Sequence, residues 1–306
     1  MSAVRRRVAA ALLALTTLAG SGCTAGSDGG DAPQVVVTTN ILGDLVTNVV
    51  GDEAEVTVLM RPNADPHSFE ISARESALMA EADLVVSNGL GLEEGLQQHL
   101  DRAADAGVEM FVAGDHVDVL DYSEADGGAP DPHFWTDPAR VIDVVDGLTE
   151  ALTDVEGASP DAIAERADAY RSELQVLDTE MAEAFASIPA ERRSLVTNHH
   201  VFGYLAERFE FRVVGAVIPG GTTLASPGAA DLDELASAIR EAGVPTIFAE
   251  SSQPDRLVQV LADEVGLDVQ VVPLFTESLT GPGEGAETYL DMQRVNTERI
   301  TTGLSS

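Results

Sequence analysis

One apolar stripe limits the folds open to this chain more than any other feature. Ile163, Ala167, Tyr170, Leu174, Leu177, Met181, Phe185 and Ile188 recur every three or four residues, which is one face of a single helix. Pro160 suits its first turn and Pro189 closes it. At 1.5 Å per residue such a helix is roughly 40 Å long, longer than an ordinary crossover. It divides two stretches of like character. Ahead of it, Val35–Thr39, Val56–Met60, Leu84–Ser87 and Met110–Val112 read as strands, and Ala73–Ala82 reads as a helix opened by the capping box Ser72-x-x-Glu75. Behind it, Leu195–Thr197, Phe211–Val217, Thr246–Glu250 and Val269–Leu274 read as strands. Short β-rich runs alternating with helical patterns predict parallel sheets with crossover helices. The expected fold is α/β: two α/β lobes with parallel-type sheets, residues 34–158 and 190–306, joined by a long rigid helix over residues 159–189.

The first residues speak to compartment. Arg5, Arg6 and Arg7 precede an apolar run, Val8–Ala19, too short for a membrane span of about 20 residues. Residues 1–22 therefore read as a secretory signal. Cys23 follows as the one cysteine in the chain, with no disulfide partner available. It is expected to become the lipidated first residue of the mature protein, although Gly20 stands where such signals usually carry Leu. Residues 23–33, rich in Gly, Ser and Asp, form a flexible tether. No later segment approaches a membrane span, so membrane attachment would be through the lipid anchor alone, on the outer face of the cytoplasmic membrane.

The chain has 17 basic residues, all arginine, against 52 acidic ones, for a net charge of −35. Nucleic-acid binding needs a basic face and is excluded. The carboxylates are scattered over helical faces such as Asp161–Glu183 and serve mainly to solvate the surface.

Three of the six histidines sit at junctions between elements, where open α/β folds hold ligands. His67 follows a strand and precedes the capped helix, and His199 follows the strand Leu195–Thr197 and precedes a helix expected over Val201–Phe209. His133 lies ahead of Asp137 and Pro138, a ready N-cap and first helical residue. A histidine beside a helix N-terminus is favoured in its neutral, metal-binding form. Asp-Pro-His occurs twice, at 65–67 and 131–133, and the proline restricts the backbone before each imidazole. Spacing alone leaves ligand and satisfied surface or core histidine both open.

These residues resemble a known family. Asp65-Pro66-His67, Asp131-Pro132-His133-x-Trp135-x-Asp137-Pro138, His199-x-x-Phe202-Gly203-Tyr204, Asn88-Gly89-Leu90-Gly91-Leu92-Glu93, Phe248-Ala249-Glu250-Ser251-Ser252 and Phe275-Thr276-Glu277-Ser278-Leu279 are similar to motifs of the metal-binding lipoproteins of ABC importers for zinc and manganese. They run in family order across nearly the whole mature chain. The resemblance implies a metal in the cleft between the lobes, with His67 and His133 as ligands from the first lobe side and His199 and Glu277 from the second. The family most often has Asp at the position of Glu277. Glu250 is the alternative acid, and is read as orienting a ligand. His200 is read as an exposed neighbour without a metal role, and His99 and His116 have none assigned.

Three imidazoles and one carboxylate suit tetrahedral Zn²⁺. Manganese prefers more oxygen ligands, and manganese-specific relatives typically replace the third histidine with an acid. The implied function is capture of a divalent transition metal, zinc ahead of manganese, by a monomer that delivers it to an ABC transporter permease. The short, acidic stretch Asp115–Pro132 offers no second, accessory site. Two rival readings are a three-histidine zinc hydrolase, for which no paired general base is evident, and an additional role in cell adhesion, proposed for some relatives.

Overall fold

The computed structural model describes residues 32–123, 127–218, 220–253, 255–266 and 269–305. The signal region, Cys23 and most of the tether lie outside them. Two four-stranded sheets, both wholly parallel, organise the chain. The first has strand order β2-β1-β3-β4, with β1 Gln34–Val37, β2 Glu55–Val58, β3 Leu84–Ser87 and β4 Glu109–Val112. The second has order β6-β5-β7-β8, with β5 Ser194–Thr197, β6 Arg212–Ala216, β7 Thr246–Glu250 and β8 Gln270–Leu274.

Each sheet is covered on both faces, so its central strands carry consecutive apolar residues with polar ones only at their ends. Alternation decides which face each residue serves. Val35, Val37, Leu84 and Val86 point to a core shared with α1 (Asn40–Val50) and α4 (Pro138–Thr153). Val36 and Val85 face a smaller core with α2 (Ala73–Glu81) and α3 (Gln97–Asp105). In the second lobe Val196, Ile247 and Ala249 pack against α7 (Ala229–Ala242) and α8 (Arg256–Val265). Leu195 and Phe248 join the large core with α6 (Gly203–Phe209) and α9 (Tyr289–Ser305).

The long stripe runs along α5, Pro160–Ala186, with Ile188 just beyond it, and every residue of the stripe is buried. They lie in the same continuous core as residues of both sheets. The capping box on α2 is formed, and Asp137 caps α4, accepting from the Ala139 N–H at 2.9 Å. One boundary differs from expectation. The helix after His199 begins at Gly203 rather than Val201, because the preceding backbone is bonded elsewhere: the His199 carbonyl accepts from Thr197 Oγ1 at 2.7 Å, and the His200 N–H donates to Gly220. Among the described residues no helix is long and apolar enough to cross a membrane.

Candidate metal centre

The chain leaves the C-terminal ends of the parallel strands as loops, and these loops carry the site. His67 lies in the loop after β2, His199 just past β5 and Glu277 just past β8. His133 stands before a single 3-10 turn, Phe134–Thr136, that leads into α4. The two Asp-Pro-His triplets repeat one local device. Asp65 Oδ1 accepts the backbone N–H of His67 at 2.9 Å, and Asp131 Oδ1 accepts that of His133 at 3.0 Å. Each aspartate thus closes a tight turn that sets its histidine.

The other motifs brace these turns. Glu93, buried at the C-terminal ends of β1 and β3, accepts from Thr38 Oγ1 and from the backbone of Asn88 and Gly89. Asn88 then donates to the Pro132 carbonyl at 3.1 Å. Gly203 is needed for close approach, since a Cβ there would lie 2.5 Å from Asp131 Oδ2. Its neighbour Tyr204 donates to the Asp131 carbonyl at 2.8 Å. The loop carrying Glu277 is gripped from the first lobe side. Trp135 Nε1 donates to the Thr276 carbonyl at 2.7 Å, and Asn40 bonds both Ser278 Oγ and the Leu279 N–H.

The result is a closed cluster. The Nε2 atoms of His67, His133 and His199 lie 2.9, 3.2 and 3.0 Å from one carboxylate oxygen, Oε1 of Glu277. One ligand-capable atom from each of the four residues lies within 4.8 Å of all the others. None of the four is more than 2% exposed. Glu277 Oε2 is buried with no hydrogen-bond partner among the described residues. Three imidazole nitrogens crowded on one oxygen of a buried carboxylate, whose other oxygen is orphaned, fit a cation better than they fit one another.

The electrostatics are uneven. Burial alone would raise the Glu277 carboxyl, but the surrounding imidazoles outweigh it and hold the group well below the ordinary range. Burial pushes His199 down, which keeps it neutral. His133 goes the other way, up to about 9: burial opposes its charge, but hydrogen bonds to Asp131 and Glu277 prevail. The helix-terminus argument for a neutral His133 therefore fails in the metal-free protein, because two carboxylates at bonding distance outweigh a helix end. Tyr122, absent from the sequence-derived candidates, lies 2.9 Å from His133 Nδ1. Burial and the Asp131 charge push its hydroxyl well up, so it stays a protonated donor.

Residues 35–303 match the family described as ZnuA, zinc-uptake complex component A, periplasmic. The chain belongs to the ZnuA family. This ZnuA-family chain is 31% identical over 309 residues to TroA of Treponema pallidum, named a zinc-binding protein, with 99% of each chain covered. The solved structure of TroA matches with a TM-score of 0.84 at 30% identity, covering 90% of this chain and 100% of that one. MntA of Halalkalibacterium halodurans, named a manganese-binding lipoprotein, is 27% identical over 298 residues, 96% of this chain and 97% of its own. YfeA of Yersinia pestis, named an iron-binding protein, is 27% identical over 271 residues, 88% and 86% of the two chains. The ZnuA-family chain is a metal-binding solute-binding protein of an ABC importer, and its family is not enzymatic. Its relatives' names differ in metal, so membership alone does not choose one.

The remaining candidates in this ZnuA-family structure stand outside the cluster. Glu250 is buried, accepts from Ser252 through Oε1, and is pushed up to about 8 by burial and by Glu277. It is not one of the four clustered residues. His99 Nδ1 pairs with Ser76 Oγ, and His116 stacks on Phe111. His200 is part-buried rather than exposed, because it packs beside the Tyr122 ring. Sequence reasoning gave no role to Asp65, Asp131 or Tyr122. The aspartates had a signal in their fixed place two residues before each histidine. Tyr122 had none.

Proposed function

We propose that this chain binds one Zn²⁺ through Nε2 of His67, His133 and His199 and the Glu277 carboxylate, and delivers it to the permease of an ABC importer. The observation that carries the reading is the convergence of three Nε2 atoms on one carboxylate oxygen at 2.9–3.2 Å. Three neutral nitrogens and one oxygen suit tetrahedral zinc, whereas manganese favours more oxygen ligands. The relative named for manganese supports a second reading, a manganese carrier with the same four ligands. Glu250 orients the Glu277 side of the site without binding metal. The chain acts as a monomer, with residues 34–158 and 190–306 as lobes and 159–189 as the linking helix. Export by residues 1–22 and lipidation of Cys23 on the tether 23–33 would hold it to the outer face of the cytoplasmic membrane. Mass spectrometry of the mature protein tests the anchor, and an unmodified Cys23 contradicts it.

Zinc titration of substituted proteins tests the ligand set. His67→Ala, His133→Ala, His199→Ala and Glu277→Ala should each weaken binding by at least about a hundredfold while the protein still folds. Glu250→Gln should be mild. Near-wild-type affinity in any of the three histidine variants would sink the proposed site.

A further inference from the structure

The three imidazoles around Glu277 are held unequally. The Nδ1 atoms of His67 and His199 are buried and bond to nothing among the described residues. His133 Nδ1 lies 2.7 Å from Asp131 Oδ1 and 2.9 Å from the Tyr122 hydroxyl. A carboxylate oxygen can only accept from the ring, so Nδ1 carries a proton, and the proton a metal displaces is the one on Nε2, whose lone pair then faces the cluster. The Tyr122 hydroxyl also lies 2.9 Å from Asp131 Oδ1 and 3.1 Å from the His200 carbonyl. Ring, carboxylate and hydroxyl thus close a triangle.

Tyr122 is itself fixed. It sits beside the bridge between Asp121 and Pro130, and its N–H donates to the Ala129 carbonyl at 2.9 Å. Gly221 from the second lobe lies so close to its ring that a Cβ would fall 2.1 Å from Cε2. A free rotor would need no such constraints.

Resting on the reading of the cluster as the metal site, we infer that Tyr122 is a positioning residue that acts through Asp131 to make His133 the anchoring ligand. An imidazole whose far N–H is bonded to a carboxylate is fixed in tautomer and orientation and is a better donor to metal. His67 and His199 have no such bond to break when they turn away. They release the ion first, and His133 holds it last.

The test is the rate of Zn²⁺ release from the loaded full chain into excess chelator, with the absorption spectrum of the Co²⁺-loaded protein as a second readout. Tyr122→Phe should release zinc about tenfold faster and shift the cobalt bands. Asp131→Asn keeps the oxygen that closes the turn but loses the charge, and should act in the same direction. Thr246→Val removes a comparable buried bond, from Thr246 Oγ1 to the Gly303 carbonyl at the opposite end of β7. It should lower the Tm yet leave release and spectrum unchanged. Should Tyr122→Phe not fold, Asp131→Asn decides. Release at the wild-type rate in the folded variants overturns the inference while the metal site stands. A wild-type chain that takes up neither ion overturns both.

Discussion

An aspartate two residues before a histidine does different work at its two occurrences in this chain. Asp65 holds the His67 backbone and spends its other oxygen on Ser68, Thr223 and Gln253. Asp131 reaches the imidazole itself. Because His133 is raised from 6.5 to about 9, the metal-free protein holds a proton on it at pH 7.5, and an arriving metal must displace that proton. Binding at that pH should release about one proton per ion. Calorimetry in buffers of different ionisation heat measures it, and an enthalpy independent of buffer contradicts it. The sign for stability follows from the same shift. In the metal-free protein this group's contribution is complete below 6.5 and is lost as pH rises through about 9. The four clustered residues were legible because each sits in a motif, His199 and Glu277 just past strand ends, His67 in the loop after β2 and His133 at the approach to α4. Tyr122 was not, since it lies in an acidic stretch with no periodicity, and only the folded chain brings it to His133.

At the scale of elements, loops that leave rigid strands and are pinned by hydrogen bonds to their neighbours explain the precision of the site. The long helix was legible because its apolar period is strict, and the strands because their apolar runs are short and rich in β-branched residues. The start of α6 was not, because side-chain and inter-loop bonds claim the backbone of residues 197–200. One tie between helices could not be read from the sequence at all. Asp44 of α1 accepts the N–H of Tyr289, the first residue of α9, at 2.9 Å. Burial pushes Asp44 up from 3.8 to about 6. Between those values the native state keeps a proton that the unfolded chain has lost, so this group's contribution falls as pH rises through the window. Above it the part-buried carboxylate costs about 3 kcal/mol. Asp44→Asn should therefore gain stability relative to wild type between pH 4 and pH 7. Denaturant unfolding across that range checks this, and a flat difference contradicts it.

Across the molecule, one continuous core joins both sheets through α5, and polar contacts from the first lobe hold the Glu277 loop of the second. The four donors are therefore set by the fold as a whole. The expected arrangement of two parallel-sheet lobes is present, and the family is established. The metal is the part that neither periodicity nor relatedness selects. Competition between Zn²⁺ and Mn²⁺ for the purified metal-free chain tests the account most directly. One ion should bind per chain, with zinc displacing manganese at equal concentration. Manganese that binds as tightly as zinc, or a chain that takes up no zinc, would contradict it.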